Sequence, residues 1–484
     1  MKPSGILLFL LSVFTLLIAG ALYFPDEGIP LAGKMKLRFF TAKELFTSTQ
    51  VKYADIDQIL RQQDLINDTV LTAIAEGNTS HKNFKVSADS LIKSITPIEY
   101  PGNDSTILYS FFRTLKDLPS SGQLIRIMHY GDSQIEDDRI TSLLRNKLQT
   151  RFGGSGAGLV PASQLYPYGF SMKQENSDNW DRRIGFGKKD TTVKHRRYGA
   201  LASFGSFITE NKQGKIDTAE AWITFSMSPY GYRNTRNFSQ CRVFYGQNKS
   251  PFLSELYLDD QLTDADIFPA SSKMNVIRWK FDSPSKKMTL RFRGQASPEI
   301  YGIALDGRKG IAVDNIPLRG CSGLFFTNFD EELMRAMYRE LNVKLFILQF
   351  GGNFVPAGLS NYTGYENWFY SQIIRIKSLC PGAKILVIGV ADMSVKDKNQ
   401  YITNPNVEKV RDALKKAAFK SGSAFWDMYE AMGGKNSMPS WVSAEPSLAS
   451  DDYVHFNSRG AKTIAQMFYN AFILEYHKFE KYAQ

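Results

Sequence analysis

The sequence predicts an α/β protein: a parallel sheet covered by helices on both faces, interrupted by a smaller all-β insert. Three observations predict it. In two separate stretches, short apolar runs alternate with amphipathic runs of helical period, the pattern of strand and helix in turn. From about residue 165 to 310 this gives way to short runs alternating apolar and polar. A long apolar segment stands apart near the N-terminus.

That segment runs from Gly5 to Phe24, about the 20 residues that cross a bilayer as a helix. Ala19-Gly20-Ala21 satisfies the small-residue rule for a cleaved signal peptide. The apolar stretch continues past that point, which favours an uncleaved anchor. Residues 1–24 are therefore expected to be a signal peptide or membrane anchor. Either way the rest of the chain is expected to be exported, periplasmic or at the cell surface. Residues 25–104 read as a helical stalk or linker. Thr41 and Glu44 have capping-box spacing before Leu45-Phe46, and a stretch of Asn, Asp, Ser and Thr around 77–105 reads as loop.

The first α/β stretch begins with Ile107, Leu108, Phe111, Phe112 and Leu115, a helical set. The run Leu124, Ile125, Ile127, Met128 then predicts a strand, and Ile140, Leu143, Leu144, Leu148 a helix. Gly131-Asp132-Ser133 lies between them. A serine there stands beyond the carboxyl end of a strand and, on this reading, at a helix N-terminus, where backbone N–H groups favour negative charge. That position suits a nucleophile whose transition state carries an oxyanion. Gly153-Gly154-Ser155-Gly156-Ala157-Gly158 follows without a Gly-Lys-Ser/Thr, so a turn leading the chain away is expected rather than a phosphate loop.

Residues 165–311 contain Ala221–Phe225, Arg242–Tyr245, Glu255–Leu258, Val276–Trp279 and Met288–Arg293. In the last, Met288, Leu290 and Phe292 point one way and Thr289, Arg291 and Arg293 the other. Several such strands at short spacing predict an inserted β-sandwich. Trp180, Tyr230 and Tyr232 are candidates for stacking on sugar rings; the pattern reads at least as well with Trp222 and Trp279 as core and the others as loop residues.

The α/β pattern returns with strands near Leu345–Phe350 and Lys384–Val390 and helices near Trp368–Leu379 and Asn406–Lys420. Phe350-Gly351-Gly352-Asn353 brings an asparagine amide to the end of its strand, a suitable donor to an oxyanion. Near the C-terminus stands Asp452-Tyr453-Val454-His455, and the chain has only five histidines. A carboxylate three residues before a histidine can hold its Nδ1–H and leave Nε2 to take a proton from Ser133. His81, His129, His195 and His477 show no metal spacing, and His129 reads as a packed residue.

Gly-Asp-Ser early, Gly-x-Asn in the middle and Asp-x-x-His late, in that order, resemble the SGNH/GDSL hydrolases. Ser423–Gly434 followed by Ser437-Met438 resembles the branch holding peptidoglycan and polysaccharide O-acetylesterases. The resemblance covers roughly residues 105–165 and 312–475. It implies a three-layer, SGNH-type (flavodoxin-like) catalytic domain over 105–164 and 312–484, with residues 165–311 as a carbohydrate-binding-module-like jelly roll. It implies Ser133 as nucleophile, His455 as base and Asp452 as its orienter. The oxyanion donors would be the Ser133 N–H, the Asn353 side chain and a glycine N–H, with Gly320 fitting best and Gly323 competing. Gln134 follows the serine where many members carry leucine or histidine. The expected reaction removes O-acetyl groups from peptidoglycan or another O-acetylated polysaccharide through an acyl-enzyme, without metal or cofactor. An O-acetyltransferase using the same residues, or a non-catalytic glycan-binding protein, are the alternatives.

Composition agrees with this and excludes other classes. With 484 residues, 43% hydrophobic and 13% aromatic, the chain is not globally disordered. A net charge of +11 comes without a nucleic-acid motif, so the basic surface is either generic or attracted to an acidic wall polymer or membrane. Membrane contact is expected through the N-terminal segment only. Three widely spaced cysteines make no disulfide framework or metal pair, and Cys321 reads as a small buried turn residue.

Overall fold

The computed structural model describes residues 3–25, 28–32, 35–37, 39, 51–66, 68–76, 91, 94–164, 171–188, 190–211, 214–215, 218–282 and 286–482. The helix start expected at Thr41–Glu44 and much of the loop expected from 77 lie outside these residues. The chain divides into two units, Met1–Lys52 and Tyr53–Gln484. The first holds the helix Pro3–Tyr23, which is long and apolar enough to cross a membrane, and a small hairpin, Ile29–Ala32 with Met35–Leu37.

The second unit is organised around a six-stranded sheet. Its strands in chain order are β1 (Ile98–Glu99), β2 (Leu124–Gly131), β3 (Gly310–Pro317), β4 (Val343–Gln349), β5 (Lys384–Ile388) and β6 (Ala424–Trp426). Their order across the sheet is β3-β2-β4-β5-β6-β1. The first five are mutually parallel, and β1 adds an antiparallel edge to β6. The two-residue β1 carries too short a pattern to be read from sequence. Among the parallel strands this is the 2-1-3-4-5 order of flavodoxin-like sheets, whose switch point lies between the first and third strands, here β2 and β4.

Strands buried on both faces need apolar side chains of both parities, and β2 and β4 have them. Ile125, Ile127, Leu345 and Ile347 face one core, with α1 (Tyr109–Ser121), α2 (Thr141–Phe152) and α6 (Ser458–Tyr482). Met128, Tyr130, Phe346 and Leu348 face the other, with α3 (Glu331–Glu340), α4 (Thr363–Leu379) and α5 (Val407–Lys420). These are the three layers expected of the α/β stretches.

Between β2 and β3 the chain forms two antiparallel sheets. One runs Gln261–Phe268, Phe252–Leu258, Lys287–Gly294, Ala219–Met227, Met172–Asn176. The other runs Asn275–Lys280, Gln240–Gly246, Glu299–Asp306, Ser203–Phe207, Trp180–Ile184, with Gly158–Val160 also paired to Glu299–Asp306. They share one core, in which Ile223, Phe225, Met288, Leu290 and Phe292 meet Cys241, Val243, Ile303 and Leu305. Trp279 is buried there, Trp222 is half-buried, and Trp180 packs edge-on against Phe207 and Phe292.

The glycine-rich turn after α2 is shaped by close approach. Gly154 has φ +113°, and a Cβ there would stand 2.3 Å from the Ile311 carbonyl oxygen. Gly156 has φ +93°, and its Cβ would stand 2.1 Å from the Leu305 carbonyl oxygen. Only glycine tolerates both conditions. The excursion is also tied by charge. Arg126 on β2 is wholly buried between Asp314 on β3, which it hydrogen-bonds, and Asp306 at 2.6 Å. Asp306 also accepts from Arg242 at 3.1 Å.

Candidate active site

β2 ends at Gly131, where a Cβ would crowd Ile135 and the Gln349 carbonyl at 2.9–3.0 Å. Glycine thus lets the ends of β2 and β4 approach. Asp132 caps the turn that follows, accepting from the Gln134 N–H at 3.0 Å and also from the Gly352 N–H. One carboxylate therefore joins the loops after β2 and β4. Burial pushes it up to about 6, against those N–H groups and the nearby His455.

The turn departs from the sequence expectation. Ser133 does not open an α-helix: Ser133–Asp138 is a 3₁₀ segment broken at Glu136 and Asp137, and α2 begins at Thr141. Asp137 and Asp138 both have φ +57°, which ends the turn before a helix can propagate. The local N–H groups of one short turn, not the dipole of a long helix, surround the serine.

Ser133 Oγ lies 2.8 Å from His455 Nε2, and His455 Nδ1 lies 2.7 Å from Asp452 Oδ2. The other carboxylate oxygen, Asp452 Oδ1, accepts from the N–H groups of Val454 and His455, each at 2.9 Å. Partial burial raises this carboxyl, but those N–H groups and the imidazole outweigh it and hold Asp452 below its usual range. Tyr453 between them has φ +57°, and its ring stacks on Tyr401 at 3.6 Å. The Ser394 N–H donates to the Tyr453 carbonyl at 3.0 Å, so the hairpin Ser394–Thr403 braces the loop.

Asn353 follows β4 and lines the same pocket as Ser133 and His455, a cavity of about 170 Å³. Its Nδ2 donates to the Cys321 carbonyl at 3.2 Å, which fixes the amide. Gly320 and Gly323 lie outside that lining. Gly320 sits at φ +78° on an exposed turn closed by the Cys321 N–H to the Leu318 carbonyl at 2.9 Å. Gly323 is buried, and its N–H is given to Cys321 Sγ at 3.3 Å. Burial pushes the Cys321 thiol up to about 11. His129 is buried between Gln349 Oε1 (3.0 Å) and Thr141 Oγ1 (2.9 Å), and burial pushes it down to about 4. Among the described residues no group of three or more His, Cys, Asp or Glu is arranged to hold a metal ion.

Gln134 is the residue that sequence reasoning noted only as a departure. Its Nε2 donates to the Val454 carbonyl at 2.6 Å, and its Oε1 accepts from the Phe456 N–H at 3.4 Å. Met428, in the Ser423–Gly434 stretch, lines the pocket as well. The signal for Gln134 was its place beside the serine; its partners are more than 300 residues away in sequence.

Residues 287–463 match the family model of the GDSL-like lipase/acylhydrolase family, a span that includes Gly320, Asn353, Asp452 and His455 but not Ser133. A solved peptidoglycan O-acetylesterase is similar in fold, with a TM-score of 0.59 and 19% identity over 78% of this chain and 98% of that one. A family two carbohydrate esterase from Clostridium thermocellum in complex with cellohexaose matches 52% of this chain and 91% of its own at 8% identity and a TM-score of 0.23. One from Cellvibrio japonicus matches 64% and 99% at 7% identity and a TM-score of 0.25. No curated protein sequence matches. The fold is thus of the SGNH type, and the matched residues resemble a GDSL-like hydrolase. Over residues 287–463 the chain is similar to the GDSL-like lipases and acylhydrolases.

Proposed function

We propose that this protein is a serine esterase that removes O-acetyl groups from a cell-wall or related polysaccharide, peptidoglycan foremost. The observation that carries the reading is the hydrogen-bonded series Ser133–His455–Asp452, at 2.8 and 2.7 Å, beside the Asn353 amide. His455 Nε2 takes the Ser133 proton as Oγ attacks the ester carbonyl. The oxyanion is held by the Ser133 N–H, the Asn353 Nδ2 and a glycine N–H, for which we keep Gly320 over Gly323 because the Gly323 N–H is engaged with Cys321 Sγ. The sugar hydroxyl leaves with the proton from His455. Water, deprotonated by His455, attacks the acetyl-serine; acetate leaves and Oγ regains its proton. Asp452 stays ionised and steadies the imidazolium.

The likeness in fold to a peptidoglycan O-acetylesterase supports the choice of polymer. We further infer that the two-sheet insert is a carbohydrate-binding, jelly-roll-like module, and that the Pro3–Tyr23 helix exports and anchors the chain at the cell surface or in the periplasm.

The test is acetate release from O-acetylated peptidoglycan and from O-acetylated plant or capsular glycans by wild type and Ser133→Ala, with a sulfonyl fluoride to label the serine. Release and labelling that depend on Ser133 support the reading. An inert Ser133 marks a non-catalytic glycan binder, and acetyl appearing on an added acceptor glycan instead of in water marks a transferase.

A further inference from the structure

A second cavity, of about 200 Å³, is walled by both inserted sheets, by the turn after β2 at Glu136–Asp138 and by the end of β3. Its walls include Glu136, Asp138, Arg145, Arg182 and Arg319. Two of the arginines are matched: Arg319 pairs with Glu136 at 2.6 Å, and Arg145 with Asp138. Arg182 is not. It lies on the inserted strand Trp180–Ile184, on the same face as Ile184, which also lines the cavity. Its Nε donates to Ser203 Oγ at 3.1 Å and its Nη1 to the Ser163 carbonyl at 3.3 Å, both neutral acceptors. Among the described residues no carboxylate pairs with it. Burial without a compensating anion holds the guanidinium at about 10, below its ordinary value.

The two cavities are joined by one piece of chain. Ser133 lines the first and Glu136 the second, so they are separated by three residues, at most about 10 Å of backbone. A polymer with its ester at Ser133 can therefore place a neighbouring group in the second cavity. Pockets for drug-sized ligands begin near about 300 Å³, so this one takes a single sugar substituent or less.

Resting on the esterase reading, we propose that this cavity is a subsite for a carboxylate carried by the glycan, with the Arg182 guanidinium as its receptor. A planar monoanion suits one unmatched fork. Glu136 and Asp138, which line the same cavity, disfavour a dianion such as phosphate.

The experiment uses the full chain carrying Ser133→Ala, so that no turnover occurs, and measures binding by calorimetry. The probes are a tetrasaccharide containing uronic acid and one containing a lactyl-ether sugar, each against its carboxyl-reduced form. The expected result is at least about tenfold tighter binding of one acid form, lost on adding Arg182→Gln. Equal affinity for acid and reduced forms of both probes, no binding of any, or discrimination that survives Arg182→Gln overturns the proposal. If Arg182→Gln does not fold, Arg182→Lys decides: discrimination reduced several-fold supports the subsite, and unchanged discrimination overturns it. A wild type inactive on every acetyl ester would remove the esterase reading and leave the binding comparison standing.

Discussion

Gln134 and Val454 are joined by a 2.6 Å hydrogen bond, side-chain amide to backbone carbonyl, and the same amide receives the Phe456 N–H at 3.4 Å. The residue after the serine thus grips the chain on both sides of His455. Gln134→Leu keeps the volume but leaves the buried Phe456 N–H without a partner, at about 1–3 kcal/mol, and the partly buried Val454 carbonyl at less. The loop should shift, and sub-ångström changes in such geometry lower rate steeply. We expect kcat on a small acetyl ester to fall about 10–10²-fold with KM little changed. Steady-state kinetics decide it; a variant with wild-type kcat would make Gln134 a bystander.

Asn353 offers a cleaner deletion because it is exposed and, among the described residues, its side chain bonds only the Cys321 carbonyl. Asn353→Ala should keep the melting temperature within a few degrees. Loss of one oxyanion donor typically lowers kcat by about 10²–10³. A folded Asn353→Ala enzyme turning over at the wild-type rate would exclude the amide from the reaction.

How much of this was legible in sequence follows from range. The strands at Leu124–Gly131, Val343–Gln349 and Lys384–Ile388 announce themselves through local apolar runs, and Ser133 and Asn353 lie just beyond two of them. Asp452 and His455 meet within one loop, so their spacing was enough. Gln134 reaches across 320 residues and Arg126 across 180 and 188, and no local pattern encodes such pairings. The helix expected at Ser133 fails for a local reason: Asp137 and Asp138 take left-handed backbone, and a hydrophobic period beginning at Ile140 cannot reveal where the helix starts. Two-residue β1 falls below the length at which periodicity exists.

The last strand of the sheet leads to Asp427, which caps the following turn by accepting the Glu430 N–H at 3.1 Å. Burial pushes Asp427 up to about 6, outweighing that N–H and Arg411. Its folded value lies above the unfolded one, so its contribution to stability is whole below about pH 4 and is lost as pH rises through about 6. The loss is roughly 3 kcal/mol, as an order of magnitude. Asp427→Asn retains the capping oxygen and cannot titrate. Denaturant unfolding from pH 4 to 7 should show the variant gaining on wild type by up to that amount as pH rises. Asp132, raised to about 6 in both proteins, cancels in the difference. A difference that stays constant over the range would mean that Asp427 ionises freely in the fold.

Arg126 ties the parallel sheet to the two antiparallel sheets formed between β2 and β3. Its guanidinium is wholly buried and serves Asp314 in the sheet and Asp306 at the end of an inserted strand; Asp314 in turn accepts the Leu159 N–H at 2.8 Å. Removing the cation leaves two buried carboxylates facing each other, with Arg242 reaching Asp306 alone. Breaking a buried pair from one side costs about 3–5 kcal/mol. Arg126→Met should therefore lower the unfolding free energy by about that much. Replacing all three together, Arg126→Met with Asp306→Asn and Asp314→Asn, should recover a large part, because the uncompensated charge and not the lost attraction dominates. Unfolding curves of the single and triple variants test this. A triple variant no more stable than Arg126→Met would mean instead that the hydrogen bonds of the cluster, rather than the balance of its charges, hold the insert to the sheet.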